Sequence, residues 1–82
     1  MLLTVKAPDL ESAMSLVQRL VQVFGGEAVS LDASTGDVRA EAVDAPEEML
    51  VQALHAVERW LADVDLDRAL VRCDGHEYTM QR

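Results

Sequence analysis

The sequence predicts an α+β fold, a two-layer sandwich in which two helices cover one face of an antiparallel sheet. Its predicted element order is βαββαβ followed by a fifth C-terminal strand. Apolar residues change their spacing along the 82-residue chain, from alternate positions typical of strands to the three-and-four spacing typical of helices, and back. An Asp-Gly pair at 74–75 separates two alternating segments, which indicates a hairpin with a two-residue turn. The length suits one domain with one core.

Composition narrows the possible partners. The chain is 50% hydrophobic, which argues against disorder, and its few aromatic residues leave the core to aliphatic side chains. The formal charge of −8 argues against binding to nucleic acid or to anionic membranes, and it leaves a basic protein partner open. A single cysteine without a signal peptide predicts a reducing, cytoplasmic location.

The first strand is predicted at 2–6, and the first helix is predicted to begin after Asp9. Pro8 and Asp9 are typical helix-start residues, and Gly25-Gly26 ends the helix. The predicted apolar face of this helix is Leu10, Ala13, Met14, Val17, Leu20, Val21 and Phe24.

Residues 27–43 predict a hairpin. Pairing Ala33 with Val38 segregates the apolar side chains on one face and sets Asp32 opposite Arg39, with 34–37 as the loop.

The second helix is predicted to follow, capped by Asp44 with Glu47 three residues later. Its predicted apolar face is Leu50, Ala53, Leu54, Val57, Trp60, Leu61 and Val64.

The last two strands flank Asp74-Gly75, and a two-residue turn fixes their register. Cys73 then faces His76, Arg72 faces Glu77 and Val71 faces Tyr78. This register separates an apolar face from a face that holds Leu70, Arg72, Glu77 and Thr79.

The two halves of the chain share a similar sequence pattern. VKAPD at 5–9 recurs as VDAPE at 43–47, and the apolar positions of the two helices then align forty positions apart. We therefore predict a tandem β-α-β pseudo-repeat, 1–36 and 37–74, followed by a final strand at 76–80.

The element order resembles the ferredoxin-like fold. That resemblance implies that the first and third strands are central and that the second and fourth are edges. The fifth strand is expected to pair with the fourth and extend that edge, so that the second and fifth strands end the sheet. The signatures of several activities on that fold are missing: the CxxC of heavy-metal-binding domains, the loop arginine of acylphosphatases and the sheet aromatics of RNA-recognition modules. The C-terminal ERWL, ALVR and DG are similar to segments of small actinobacterial effector-associated domains.

Cys73 and His76 are the candidate catalytic residues, because the hairpin register places a thiol opposite an imidazole. No third residue that would orient the histidine is evident. Asp63, Asp65 and Asp67 imitate the start of a calcium loop, but Arg68 stands where glycine is needed. His55 lacks a second ligand at helical spacing. We therefore expect neither a metal nor another cofactor.

The sequence thus predicts a non-catalytic interaction or adaptor module, self-associating as a homodimer through an edge strand or the bare sheet face. The interaction residues it predicts are Arg39, Glu41, Leu70, Arg72, Glu77 and Thr79. Two alternatives stay open: a domain that senses a small molecule, similar to ACT domains, and a Cys-His thiol enzyme.

Overall fold

The computed structural model describes residues 1–43 and 47–82. The elements are β1 (Leu2–Lys6), α1 (Leu10–Phe24), β2 (Val29–Asp32), β3 (Asp37–Glu41), α2 (Glu47–Asp63), β4 (Arg68–Cys73) and β5 (His76–Gln81). This is the predicted order of elements. The predicted cap of the second helix, Asp44, lies outside the described residues.

All five strands form one antiparallel sheet in the order β2-β3-β1-β4-β5. The predicted positions of the strands are confirmed, because β1 and β3 lie inside the sheet while β2 and β5 are its edges. Both helices pack on the sheet, and alternate strand residues such as Leu3, Val5, Val38 and Val71 are fully buried beneath them.

Trp60 joins the two helices in the core. Its side chain is fully buried, and its indole Nε1–H donates to the backbone carbonyl oxygen of Ser12 at 2.7 Å. This bond satisfies the only polar group of a large apolar side chain, which confirms the interpretation of Trp60 as a core residue. Ala53, Val57 and Leu61 of the predicted α2 face are buried beside it.

The predicted apolar face of α1 is only partly correct. The helix begins as predicted, since the Asp9 carboxylate accepts from the Ser12 N–H at 2.7 Å. Its buried residues, however, are Ala13, Leu16 and Leu20, while Leu10 and Met14 are about half exposed. The apolar arc of α1 is broader than the area it buries, and its spacing alone does not show which part packs on the sheet.

The predicted register of the β2–β3 hairpin is wrong by two residues. Leu31 lies opposite Val38, Ser30 opposite Arg39 and Asp32 opposite Asp37. A shift by two keeps each side chain on its predicted face, so the apolar segregation that favoured the other register is preserved. The turn selects the register instead, because 33–36 forms the loop and Gly36 closes it at φ +78°.

The predicted register of the β4–β5 hairpin is confirmed. Cys73 pairs with His76, Arg72 with Glu77 and Val71 with Tyr78. Asp74 and Gly75 both have positive φ, +50° and +86°, as a two-residue type I′ turn requires.

Candidate interaction face

The candidate site is the face of the sheet that the helices leave uncovered, called here the bare face. It is formed by the strand residues that alternate with the buried ones. At its centre, Thr4 of β1 lies opposite Arg39 of β3 on one side and Arg72 of β4 on the other. Arg72 donates to the Glu77 carboxylate of β5 at 3.0 Å, which extends this row to the sheet edge.

A second row lies beside the first. Asp37 of β3 is opposite Lys6 of β1, and on its other side Asp37 faces Asp32 of β2. Thr4, Lys6, Asp37, Leu70 and Arg72 line a shallow depression between the rows. The bare face therefore carries basic and acidic side chains around Thr4.

Apolar side chains are also accessible on this face. Leu2 is 44% exposed and Leu70 is 41% exposed. Val43 follows β3 and is largely exposed, beside Leu2 and Glu41 at the rim of the face. These apolar positions would lose contact with water if a partner covered the face.

Charge divides unequally between the strand residues of the bare face and the rest of the chain. The strand residues of the bare face balance four basic against four acidic side chains: Lys6, Arg39, Arg68 and Arg72 against Asp32, Asp37, Glu41 and Glu77. The formal charge of −8 therefore falls on the rest of the chain.

The six predicted interaction residues share this face. Arg39 and Glu41 are in β3, Leu70 and Arg72 in β4, and Glu77 and Thr79 in β5, and all six are exposed. Asp37 also lies on this face but was not predicted there, because the wrong hairpin register placed it in a loop. The alternation of Asp37, Arg39 and Glu41 with buried Val38 and Ala40 was the signal that could have assigned it to β3.

Cys73 and His76 face each other as predicted, but their surroundings do not favour a reactive pair. The nearest hydrogen-bonding partner of the half-buried Cys73 Sγ is the Asp74 carboxylate at 4.0 Å. Burial, and then the Asp74 charge, raise the pKa of the Cys73 thiol, which lowers its thiolate fraction. The His76 ring instead lies near Tyr78, with 6.5 Å between ring centroids.

The acidic segment that imitates a calcium loop is engaged by arginines. Asp63 binds Arg19 of α1, while Asp65 and Asp67 lie 2.7 Å and 3.6 Å from the Arg82 guanidinium. Within 1–43 and 47–82, no three His, Cys, Asp or Glu side chains are grouped so that they could hold a metal ion.

Comparison of the chain with protein-family models, with curated proteins and with solved structures gave no match. Neither helix of the described ranges is long and apolar enough to cross a membrane.

Proposed function

We propose that this domain is a non-catalytic protein–protein interaction module that self-associates through its bare face. The observation that carries the proposal is the division of charge. The excess of acidic residues lies outside the bare-face strands, so two copies that approached by other surfaces would bring like charges together and repel each other. Two bare faces are each balanced, so the same approach meets no net repulsion.

The arrangement of the balanced face also suits a two-fold interface. In such an interface residue i of one copy meets residue j of the other, and j meets i. The basic positions Arg39 and Arg72 lie in the row beside the acidic Asp32 and Asp37. A two-fold axis between these rows would bring Arg39 of each copy near Asp37 of the other, with Leu70 inside the interface.

We also propose that the fold is ferredoxin-like. The order β2-β3-β1-β4 with a helix after β1 and another after β3 supports a ferredoxin-like fold extended by β5. The location is proposed to be cytoplasmic, and the free thiol of Cys73 is compatible with a reducing compartment.

Sedimentation velocity over a range of concentrations tests the self-association. The wild-type domain is expected to dimerise, and Leu70→Lys is expected to shift it to monomer, because a buried and unpaired ammonium at the centre of the interface is unfavourable. Met14→Lys is the matched control, since Met14 is 53% exposed on α1 and lies away from the bare face.

Two results would contradict the proposal: a wild-type domain that stays monomeric at high concentration, or a Leu70→Lys variant that dimerises as well as Met14→Lys. Circular dichroism of both variants checks that each retains the fold.

A further inference from the structure

The basic side chains of the two helices line one groove. α1 contains one acidic residue and one arginine, and α2 contains four acidic residues, one arginine and one histidine. Both arginines and the histidine line the same groove between the helices, together with two glutamines: Arg19, Gln22, Gln52, His55 and Arg59. No acidic side chain from residues 1–43 or 47–82 lines it. The groove therefore carries N–H donors, although the two helices are acidic overall.

An ion pair forms one wall of this groove. Arg19 of α1 donates to the Asp63 carboxylate of α2 through Nη2. The pair removes the net charge of Arg19, while its Nε and Nη1 groups keep N–H donors that this bond does not use. Because the pair joins the two helices, it holds the Arg19 guanidinium at the groove.

The same pair withholds a carboxylate from Arg59. Asp63 follows Arg59 by four residues, the spacing at which helical side chains of opposite charge can pair. Asp63 binds Arg19 instead, and among the described residues no carboxylate lies within 4.0 Å of the Arg59 guanidinium. Arg59 is exposed and carries the fork of N–H donors that matches two oxygens of a carboxylate or a phosphate.

The other polar groups and the size of the groove also suit a small anion. The amides of Gln22 and Gln52 and the ring of His55 each carry N–H donors. The groove has a volume of about 270 Å³, and a water molecule takes about 30 Å³ of liquid, so several waters or a small anion fit. The formal charge of −8 opposes an anion at long range, but physiological salt screens charges beyond about 8 Å. The donors that line the groove therefore decide what binds there.

We propose that the groove between α1 and α2 binds a small oxyanion through a phosphate or carboxylate group. Arg59 is its principal ligand and binds two of the anion's oxygens, while His55, Gln22 and Gln52 donate single hydrogen bonds. The groove lies on the helix layer and the bare face lies on the sheet, so this binding and the self-association use separate surfaces.

An NMR titration of the wild-type domain with inorganic phosphate tests the site, at constant pH and at an ionic strength held constant with chloride. Acetate is titrated in the same way, so that the phosphate and carboxylate groups are distinguished. The side-chain amide signals of Gln22 and Gln52 and the Nε–H signal of Arg59 are expected to shift. These shifts are expected to saturate in the millimolar range with at least one of the two anions.

Two pairs of variants isolate the groove. Arg59→Gln removes the guanidinium and is expected to weaken binding at least about tenfold, whereas Arg68→Gln loses the same charge from the sheet and is expected to bind as the wild type does. Gln52→Glu places a carboxylate in the groove and is expected to weaken binding by a similar factor. Gln18→Glu is its control, since Gln18 is exposed on α1 and does not line the groove.

Groove signals of the wild-type domain that saturate with neither anion would overturn the proposal, whatever the variants do. Equal binding by Arg59→Gln and Arg68→Gln, or by Gln52→Glu and Gln18→Glu, would overturn it too, with circular dichroism confirming that each variant is folded. Leu70→Lys separates this outcome from the self-association, because that variant is expected to lose the dimer and still bind the anion.

Discussion

The β2–β3 and β4–β5 hairpins have the same role in the sheet, since each supplies one of its edges, but their turns have different surroundings. The β2–β3 turn is packed against the rest of the chain: Gly36 accepts from the Ala7 N–H at 3.0 Å. A Cβ on Gly36 would lie 2.8 Å from the Ala7 carbonyl oxygen. The β4–β5 turn also bonds the rest of the chain, because the Asp74 N–H donates to the Leu2 carbonyl oxygen at 3.1 Å and the Asp74 carboxylate accepts from the Leu2 N–H at 2.9 Å. Its glycine is open, however, since a Cβ on Gly75 would meet nothing within 4 Å.

The comparison shows that the register of a hairpin can be set by the turn alone or with help from contacts to other parts of the chain. Asp74-Gly75 favours the β4–β5 register by its own backbone preference. The longer β2–β3 loop combines a hydrogen bond of its own, from the Gly36 N–H to the Asp32 carbonyl oxygen, with a contact to Ala7. The glycine of the first turn is therefore confined by the backbone of Ala7, and the glycine of the second turn is not.

The largest expected difference between the two turns is the loss of stability when their glycines are replaced by alanine. Both have positive φ, so Gly75→Ala is expected to lower the free energy of unfolding by about 1–2 kcal/mol through backbone strain alone. Gly36→Ala adds a close approach to the Ala7 backbone and is expected to cost at least about 1 kcal/mol more.

Urea denaturation of the two glycine variants measures this difference. Equal losses of stability would show that the Ala7 contact does not distinguish the turns.

The strands of the two hairpins should respond differently to truncation. Val38 of β3 is fully buried, so Val38→Ala is expected to cost about 2 kcal/mol of unfolding free energy through lost burial and a residual cavity. Tyr78 of β5 is half exposed, and Tyr78→Ala is expected to cost about 1 kcal/mol or less. Thermal and urea unfolding of both variants make the comparison, and a larger cost at Tyr78 would mean that β5 belongs to the core.

The smallest expected effect is a pH dependence confined to the β2–β3 turn. The Ser34 hydroxyl, and then the Ser34 backbone N–H, donate to the Asp32 carboxylate and hold its pKa below the ordinary value. The folded pKa is below the unfolded pKa, so this stabilisation is present above about pH 4 and is lost as pH falls through the folded pKa.

Two variants test this pH dependence. Ser34→Ala is expected to raise the Asp32 pKa toward its ordinary value in an NMR titration of the carboxyl carbon. Asp32→Asn should make unfolding less sensitive to acid, and an unchanged pH profile of stability would contradict the linkage.

Much of the fold follows from local patterns in the sequence. The element order, the Asp9 cap and the β4–β5 register were predictable, because capping and a two-residue turn depend on neighbouring residues. The six predicted interaction residues could be placed on one face for the same reason, since strand alternation is local. Whether that face binds a second copy stays a prediction.

The tertiary structure determined two features that local sequence patterns leave ambiguous: the buried part of α1 and the register of the β2–β3 hairpin. It selected Leu16 over Leu10 and Met14 for the core, because only packing on the sheet distinguishes parts of a broad apolar arc. It set Asp32 opposite Asp37. A two-residue shift preserves every side-chain face, and both the hydrogen bond from the Gly36 N–H to the Asp32 carbonyl oxygen and the contact between Gly36 and Ala7 fit the observed register. The sequence by itself determined the element order, the Asp9 cap and the residues that face each other across the sharp turn at Asp74-Gly75, because these depend on neighbouring residues. Long-range packing determined which part of α1 is buried.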